Sequence, residues 1–137
     1  MTDTKIHFVI DKTIKDKVLQ KAIFKQYKNY SPKRAKFIVV IGGDGFMLET
    51  LKKYHKYKKQ FYGMNKGSFG FLMNKFKIKN ISKRIEKAKK ILVSPLFMHA
   101  VTKNNVRRKA IAINEVSLLR QSRQTASLII KRGNKIL

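Results

Sequence analysis

The spacing of apolar positions changes character along the chain. Lys5 to Ile10 is a short, mostly apolar run that predicts a strand. From about Thr13 to Tyr27 the apolar residues fall at helical intervals, with Ile14, Val18, Ala22 and Phe24 on one side. Ser31-Pro32 breaks that helix, because the residue before a proline is pushed out of the helical region. Phe37-Ile38-Val39-Val40-Ile41 is apolar throughout and bounded by Lys36 and glycines, the pattern of a central parallel strand buried on both faces. Phe46 to Tyr57 predicts a second helix with Phe46, Leu48, Leu51 and Tyr54 or His55 turned inward, and Phe61 to Met64 a short third strand. Strand, helix, strand, helix, strand is the alternation of an α/β domain with a parallel sheet.

Ile81 to Ile91 predicts a basic amphipathic helix, with Ile81, Ile85, Ala88 and Leu92 on one stripe and Lys83, Arg84, Lys87 and Lys90 facing water. From Val93 the period shortens to that of strands. Leu96 to Val101, Ala110 to Leu119 and Ala126 to Lys131 read as extended runs, and Asn104-Asn105 and Arg132-Gly133-Asn134 as turns. The boundary this implies divides the chain into an α/β domain, residues 1–93, and the beginning of a β-rich domain, residues 94–137. Lys135-Ile136-Leu137 looks like the first residues of a return strand, so the sequence reads as truncated within its second domain.

Composition narrows the function classes. At 137 residues and 43% hydrophobic content the chain can fill a core, which excludes overall disorder. Without cysteine it has no disulfide, thiolate metal site or cysteine nucleophile. No run of eighteen apolar residues and no signal-peptide core is present, so a cytoplasmic protein without a membrane partner is expected. The net charge of +26, from 33 Lys plus Arg against 7 Asp plus Glu, raises the possibility of a nucleic-acid partner. Against it, the excess is mostly lysine and is spread over the whole chain rather than gathered in one arm, and no RNA-binding signature or helix-turn-helix accompanies it. His7, His55 and His99 lack metal-ligand spacing, and the serines have no histidine and acid beside them at triad spacing, so no protein metal site and no serine hydrolase chemistry is expected.

Acids are scarce where chemistry would need them. After residue 40 only Asp44, Glu49, Glu86 and Glu115 remain. Asp44 stands in Gly42-Gly43-Asp44-Gly45, directly behind the buried strand, where an open α/β sheet places its ligands and where glycines let the backbone approach them closely. A plain strand-to-helix turn would use the same residues. A second glycine-bearing loop, Asn65-Lys66-Gly67-Ser68-Phe69-Gly70-Phe71-Leu72, follows the third strand and would lie beside the first at the same sheet edge.

Three segments, in this order, resemble the NAD kinase family: Ile41-Gly42-Gly43-Asp44-Gly45 with Phe46-Met47-Leu48 behind it, Gly63-Met64-Asn65-Lys66-Gly67-Ser68-Phe69-Gly70-Phe71-Leu72, and Ala112-Ile113-Asn114-Glu115-Val116. The first is shared with lipid and sugar kinases; the second and third select among them. The resemblance implies an N-terminal α/β domain followed by a larger β-rich domain, with the NAD site between them. It implies transfer of the terminal phosphoryl group of ATP, or of polyphosphate, to the 2′-hydroxyl of the adenosine ribose of NAD, with a divalent cation such as Mg2+ accompanying the donor. It also implies a homo-oligomer at full length.

Carried over residue by residue, Asp44 would be the base or orienting carboxylate for the 2′-hydroxyl, a poor nucleophile that needs one within hydrogen-bond reach. Gly42, Gly43 and Gly45 would offer backbone N–H groups to phosphates, with Asn65, Gly67 and Gly70 in the neighbouring loop. Phe71 would form an apolar wall beside the adenine. Asn114 and Glu115, within a strand, would meet the ribose and nicotinamide side of NAD. The family's further T-G-S-T-A-Y motif does not occur in this chain, which implies that the chain alone is inactive. The alternatives are a different kinase sharing the first motif, acting on a lipid or sugar, and a basic nucleic-acid-binding domain, whose affinity would fall steeply with salt.

Overall fold

The computed structural model describes residues 4–14, 16–67 and 70–136. Ser68 and Phe69, in the middle of the second glycine loop, and Leu137 lie outside the described residues. Strand β1 (Ile6–Ile10) leads into helix α1 (Lys17–Gln26), and strand β2 (Phe37–Ile41) into helix α2 (Asp44–Tyr54) and a single 3-10 turn at His55–Tyr57. Strand β3 (Gln60–Asn65), the two-residue β4 (Asn74–Lys75) and helix α3 (Ile81–Lys87) follow. The four strands form one parallel sheet in the order β1-β2-β3-β4, so all their carboxyl ends lie on one edge. This is the α/β architecture that the alternation predicts.

Strand β2 is central, and all five of its residues are buried because each face of the sheet is covered by different helices. Phe37, Val39 and Ile41 pack in one cluster with Leu19 and Ile23 of α1 and Ile81 and Ile85 of α3, while Ile38 and Val40 pack with Met47 of α2 on the other face. The period of two along a strand sorts the side chains between the two clusters. The face of α1 differs from the expected one. Val18 and Phe24 are exposed, and Leu19 and Ile23, one helical turn apart, are buried instead.

Polar contacts finish the packing. Asp16 caps α1, its carboxylate accepting the Leu19 N–H at 2.9 Å. No side-chain cap comes from the residue preceding α3; the Tyr27 hydroxyl reaches across instead, accepting the Ile81 N–H at 3.2 Å and donating to the Ile78 carbonyl at 2.9 Å. Arg84, expected on the water side of α3, turns back and donates to the carbonyls of Lys75 and Lys77, at 2.8 and 3.1 Å. The buried Thr50 hydroxyl donates to the Phe46 carbonyl one turn earlier, at 2.7 Å.

Helix α3 ends at Lys87, four residues before the expected end, because Ala88 is extended; Ile91 and Leu92 are therefore exposed. Beyond it, β5 (Leu96–Val101) and β6 (Arg107–Ala112) form an antiparallel hairpin whose turn places Asn105 in the left-handed region, a conformation asparagine tolerates. Among the described residues near the end, only Lys131–Arg132 (β7) and Lys135–Ile136 (β8) pair, around Gly133. The expected strand over Ala110 to Leu119 stops at Ala112, and most of the Ala126 to Lys131 run is irregular. Among the described residues no helix is long and apolar enough to cross a membrane.

Candidate functional site

At the carboxyl edge of the sheet the backbone is stitched from strand to strand before any side chain contributes. The Asp11 N–H donates to the Ile41 carbonyl at 2.9 Å, and the Gly42 N–H to the Met64 carbonyl at 3.1 Å. Gly42 has to lack a side chain: a Cβ there would stand 2.7 Å from Cδ1 of Phe46 and 3.2 Å from Cβ of Asp11. Gly43 and Gly45 face open space instead: among the described residues, local backbone and chain neighbours aside, no atom lies within 4 Å of where a Cβ would be. That leaves the backbone between β2 and α2 accessible to a ligand. Helix α2 begins at Asp44, two residues earlier than the hydrophobic pattern predicts, with Gly43 in the capping position. A carboxylate in a first helical turn sits favourably against the partial positive charge of the free N–H groups.

Asp44 joins the two glycine loops. Its Oδ2 accepts the Phe71 N–H at 2.8 Å and its Oδ1 the Leu72 N–H at 3.1 Å, so each oxygen holds one of two successive backbone donors. Polar groups hold the start and the flanks of the second loop: the Asn65 side-chain oxygen accepts the Gly67 N–H at 2.9 Å, and the Asn74 amide donates to the Gly63 carbonyl at 3.0 Å. Lys66 leaves the loop to pair with Asp16 at 2.5 Å. The Lys66 ammonium, with the Leu19 N–H second, holds the Asp16 carboxyl below the usual carboxylate range. Phe71, directly beyond the clamp, is fully exposed.

The structure thus brings Gly42, Gly43, Asp44 and Gly45 together with Gly70, Phe71 and Leu72, and sets Asn65 and Gly67 at the next strand end. Asn114 and Glu115 fall two and three residues past the end of β6, exposed and outside any strand. Among the described residues no hydrogen bond joins them to the glycine loops. The link that sequence reasoning misses is the clamp itself, since Asp44 and Leu72 are 28 residues apart and nothing in their local patterns announces the contact. The described residues contain no cluster of three or more His, Cys, Asp or Glu able to hold a metal ion.

No protein-family model matches the chain. Individual proteins do. An NAD kinase of Brucella suis is 42% identical over 135 residues, 98% of this chain and 52% of that protein. An NAD kinase of Caulobacter vibrioides is 45% identical over 111 residues, 81% of this chain and 43% of that protein. One of Hyphomonas neptunium is 41% identical over 130 residues, 95% of this chain and 51% of that protein. The chain therefore spans about half the length of the curated relatives it matches. Identity at this level across nearly all 137 residues, together with two glycine loops that meet at one carboxylate, places the chain in the NAD kinase family.

Proposed function

We propose that the chain carries the phosphoryl-transfer half of an NAD kinase site. In this reading the terminal phosphoryl group of ATP, or of polyphosphate, passes to the 2′-hydroxyl of the adenosine ribose of NAD, giving NADP. The observation that carries it is the meeting of the two glycine loops at the Asp44 carboxylate, on the sheet edge where α/β proteins bind ligands. Magnesium enters as part of the substrate, Mg-ATP, which is consistent with a site built from backbone and one carboxylate.

Phosphoryl transfer asks mainly for positioning and charge stabilisation. A carboxylate has roughly four acceptor directions, and Asp44 uses two of them for backbone donors. The others can accept the ribose hydroxyl proton while the clamp stays closed. The uncovered backbone at Gly43 and Gly45 offers N–H groups to phosphate oxygens, aided by the N-terminus of α2. Phe71 supplies an apolar face for the adenine, worth about 0.5 to 1.5 kcal/mol beyond area alone where rings stack. Asn114 and Glu115 complete the ribose and nicotinamide side once the segment after β6 is folded against the dinucleotide.

In this reading turnover also needs the portion of the relatives' length that the chain does not span, and the 137-residue chain alone is inactive. The test is NADP formation from NAD and Mg-ATP by the chain, by a chimera extended with the unmatched portion of the Brucella suis relative, and by that relative itself. Turnover by the chimera and the relative, with little by the chain, is the expected result. Asp44→Asn in the chimera should then lower turnover by about 10²- to 10⁴-fold, the usual range for a positioned acid or base. A chimera that folds but makes no NADP from either phosphoryl donor would remove the proposal.

A further inference from the structure

We propose that Gly70 is a positioning residue of this site: its missing side chain leaves the seat occupied by the Asp44 carboxylate, and that carboxylate in turn fixes the backbone that presents Phe71. The functional weight of the inference rests on the kinase reading above, but the coupling between residues 44 and 70 does not.

The glycines of the two loops are clear for different reasons. A Cβ at Gly42 would meet Phe46 and Asp11, one at Gly67 would come no closer than 3.6 Å to the Asn65 side-chain oxygen, and Gly43 and Gly45 have open space. Gly70 alone among them is cleared by Asp44. A Cβ there would stand 2.8 Å from the carboxylate carbon and 3.0 Å from Oδ2, and would overlap Oδ1. All of its nearest atoms belong to that one carboxylate.

The side chain of Asp44 has little room to give way. It is short, its Cα is held in the first turn of α2, and each of its oxygens already accepts a backbone N–H from the residues that follow Gly70. Turning the carboxylate away from a new methyl group breaks one or both bonds. Phe71 then loses its anchor, because its ring is fully exposed and no packing among the described residues holds it. Asp44 therefore acts twice, once toward the reacting hydroxyl and once by aiming the loop, and Gly70 is what makes both compatible.

A double-mutant cycle on the 137-residue chain reads this coupling without any turnover assay. Gly70→Ala in the presence of Asp44 should lower the folding equilibrium constant by roughly ten-fold, whereas in an Asp44→Ala background, where the methyl group has space, it should change by less than about three-fold. Gly43→Ala should not couple to Asp44. In parallel, the Phe71 and Leu72 amide protons, followed by NMR, should both shift when Asp44→Asn takes the charge from their acceptor. The Leu72 amide proton should shift likewise in Gly70→Ala and stay in place in Gly43→Ala. Should Gly70→Ala fail to fold, recovery of folding in the double variant shows the same coupling in stronger form. Equal cost of Gly70→Ala in both backgrounds, or amide protons at 71 and 72 indifferent to Asp44→Asn, would overturn the proposal. A failed NADP assay would leave these results standing, and their failure would leave the kinase reading intact.

Discussion

Residues 6–88 and 91–136 contain strands of similar apolar content and use them in opposite ways. Every buried residue among those described lies between Ile6 and Ile85. Beyond residue 90, Leu92, Phe97, Leu118, Leu119 and Ile129 are each more than two-thirds exposed. The hairpin of β5 and β6 nonetheless pairs six residues with six, from Leu96 against Ala112 to Val101 against Arg107. A full hydrogen-bond ladder is thus compatible with no buried side chain at all. Strand β2 shows the complementary case, where five residues are buried because helices cover both faces of the sheet. The ladder sets register; burial supplies the stability, and a two-stranded hairpin without it is marginal in water.

The largest expected effect tests that division directly. Ile38→Ala removes a fully buried side chain between β2 and α2 and should cost about 2 to 5 kcal/mol in denaturant unfolding. Phe97→Ala, a larger truncation on an exposed strand, should stay within about 0.5 kcal/mol. Equal losses would mean that the second region is packed in solution. Hydrogen exchange sharpens the same point: amides of β1, β2 and β3 should exchange only on global unfolding, and those of β5 and β6 through local opening, orders of magnitude faster.

A smaller effect separates the helices of the first region. Tyr27→Phe deletes the hydroxyl that bridges the Ile78 carbonyl and the Ile81 N–H, and so uncaps α3 while leaving the ring in the core. The expected cost is about 1 kcal/mol. Exchange at the first turn of α3 should rise while α1 and α2 are unchanged; a uniform rise across all three would show that the hydroxyl does not act locally.

These contacts also show what could be read from the chain. A five-residue apolar run between Lys36 and Gly42 has one cheap solution in an α/β protein, so β2 was legible to the residue. Helix α1 carries two apolar stripes, Val18-Ala22 and Leu19-Ile23, and local spacing cannot choose between them; packing on Phe8 and Ile41 does. Spacing alone predicts too long a helix α3, because its stripe continues to Leu92 after the backbone has become extended at Ala88. The two glycine loops were legible as neighbours, since parallel strands put their carboxyl ends on one edge. Their union through Asp44 was not, because it depends on a side-chain direction and on the clearance at Gly70. The surroundings of the Asn114-Glu115 pair were not legible: the strand expected to hold it ends at Ala112.

The smallest effect is electrostatic and should also be confined to the first region. Asp16 accepts the Leu19 N–H and pairs with Lys66 at 2.5 Å, and both lower its pKa in the folded chain. A carboxyl whose pKa is lower folded than unfolded contributes stability above its unfolded value, near 4, and loses it as pH falls through the folded value. Acidification from about pH 6 to pH 3 should therefore loosen the start of α1 and free Lys66 from it. Asp16→Asn keeps an acceptor suited to a helix cap but removes the charge, so it should flatten this acid response with little change at low pH. Lys66→Met should weaken the response while leaving the cap. Both partners are substantially exposed, so salt should reduce the difference between the variants. Exchange at β5 and β6 should be the same in all three proteins at every pH. An acid response in α1 that survives Asp16→Asn would assign it to another carboxyl and leave the Lys66 pair without a part in holding the second loop to the first helix.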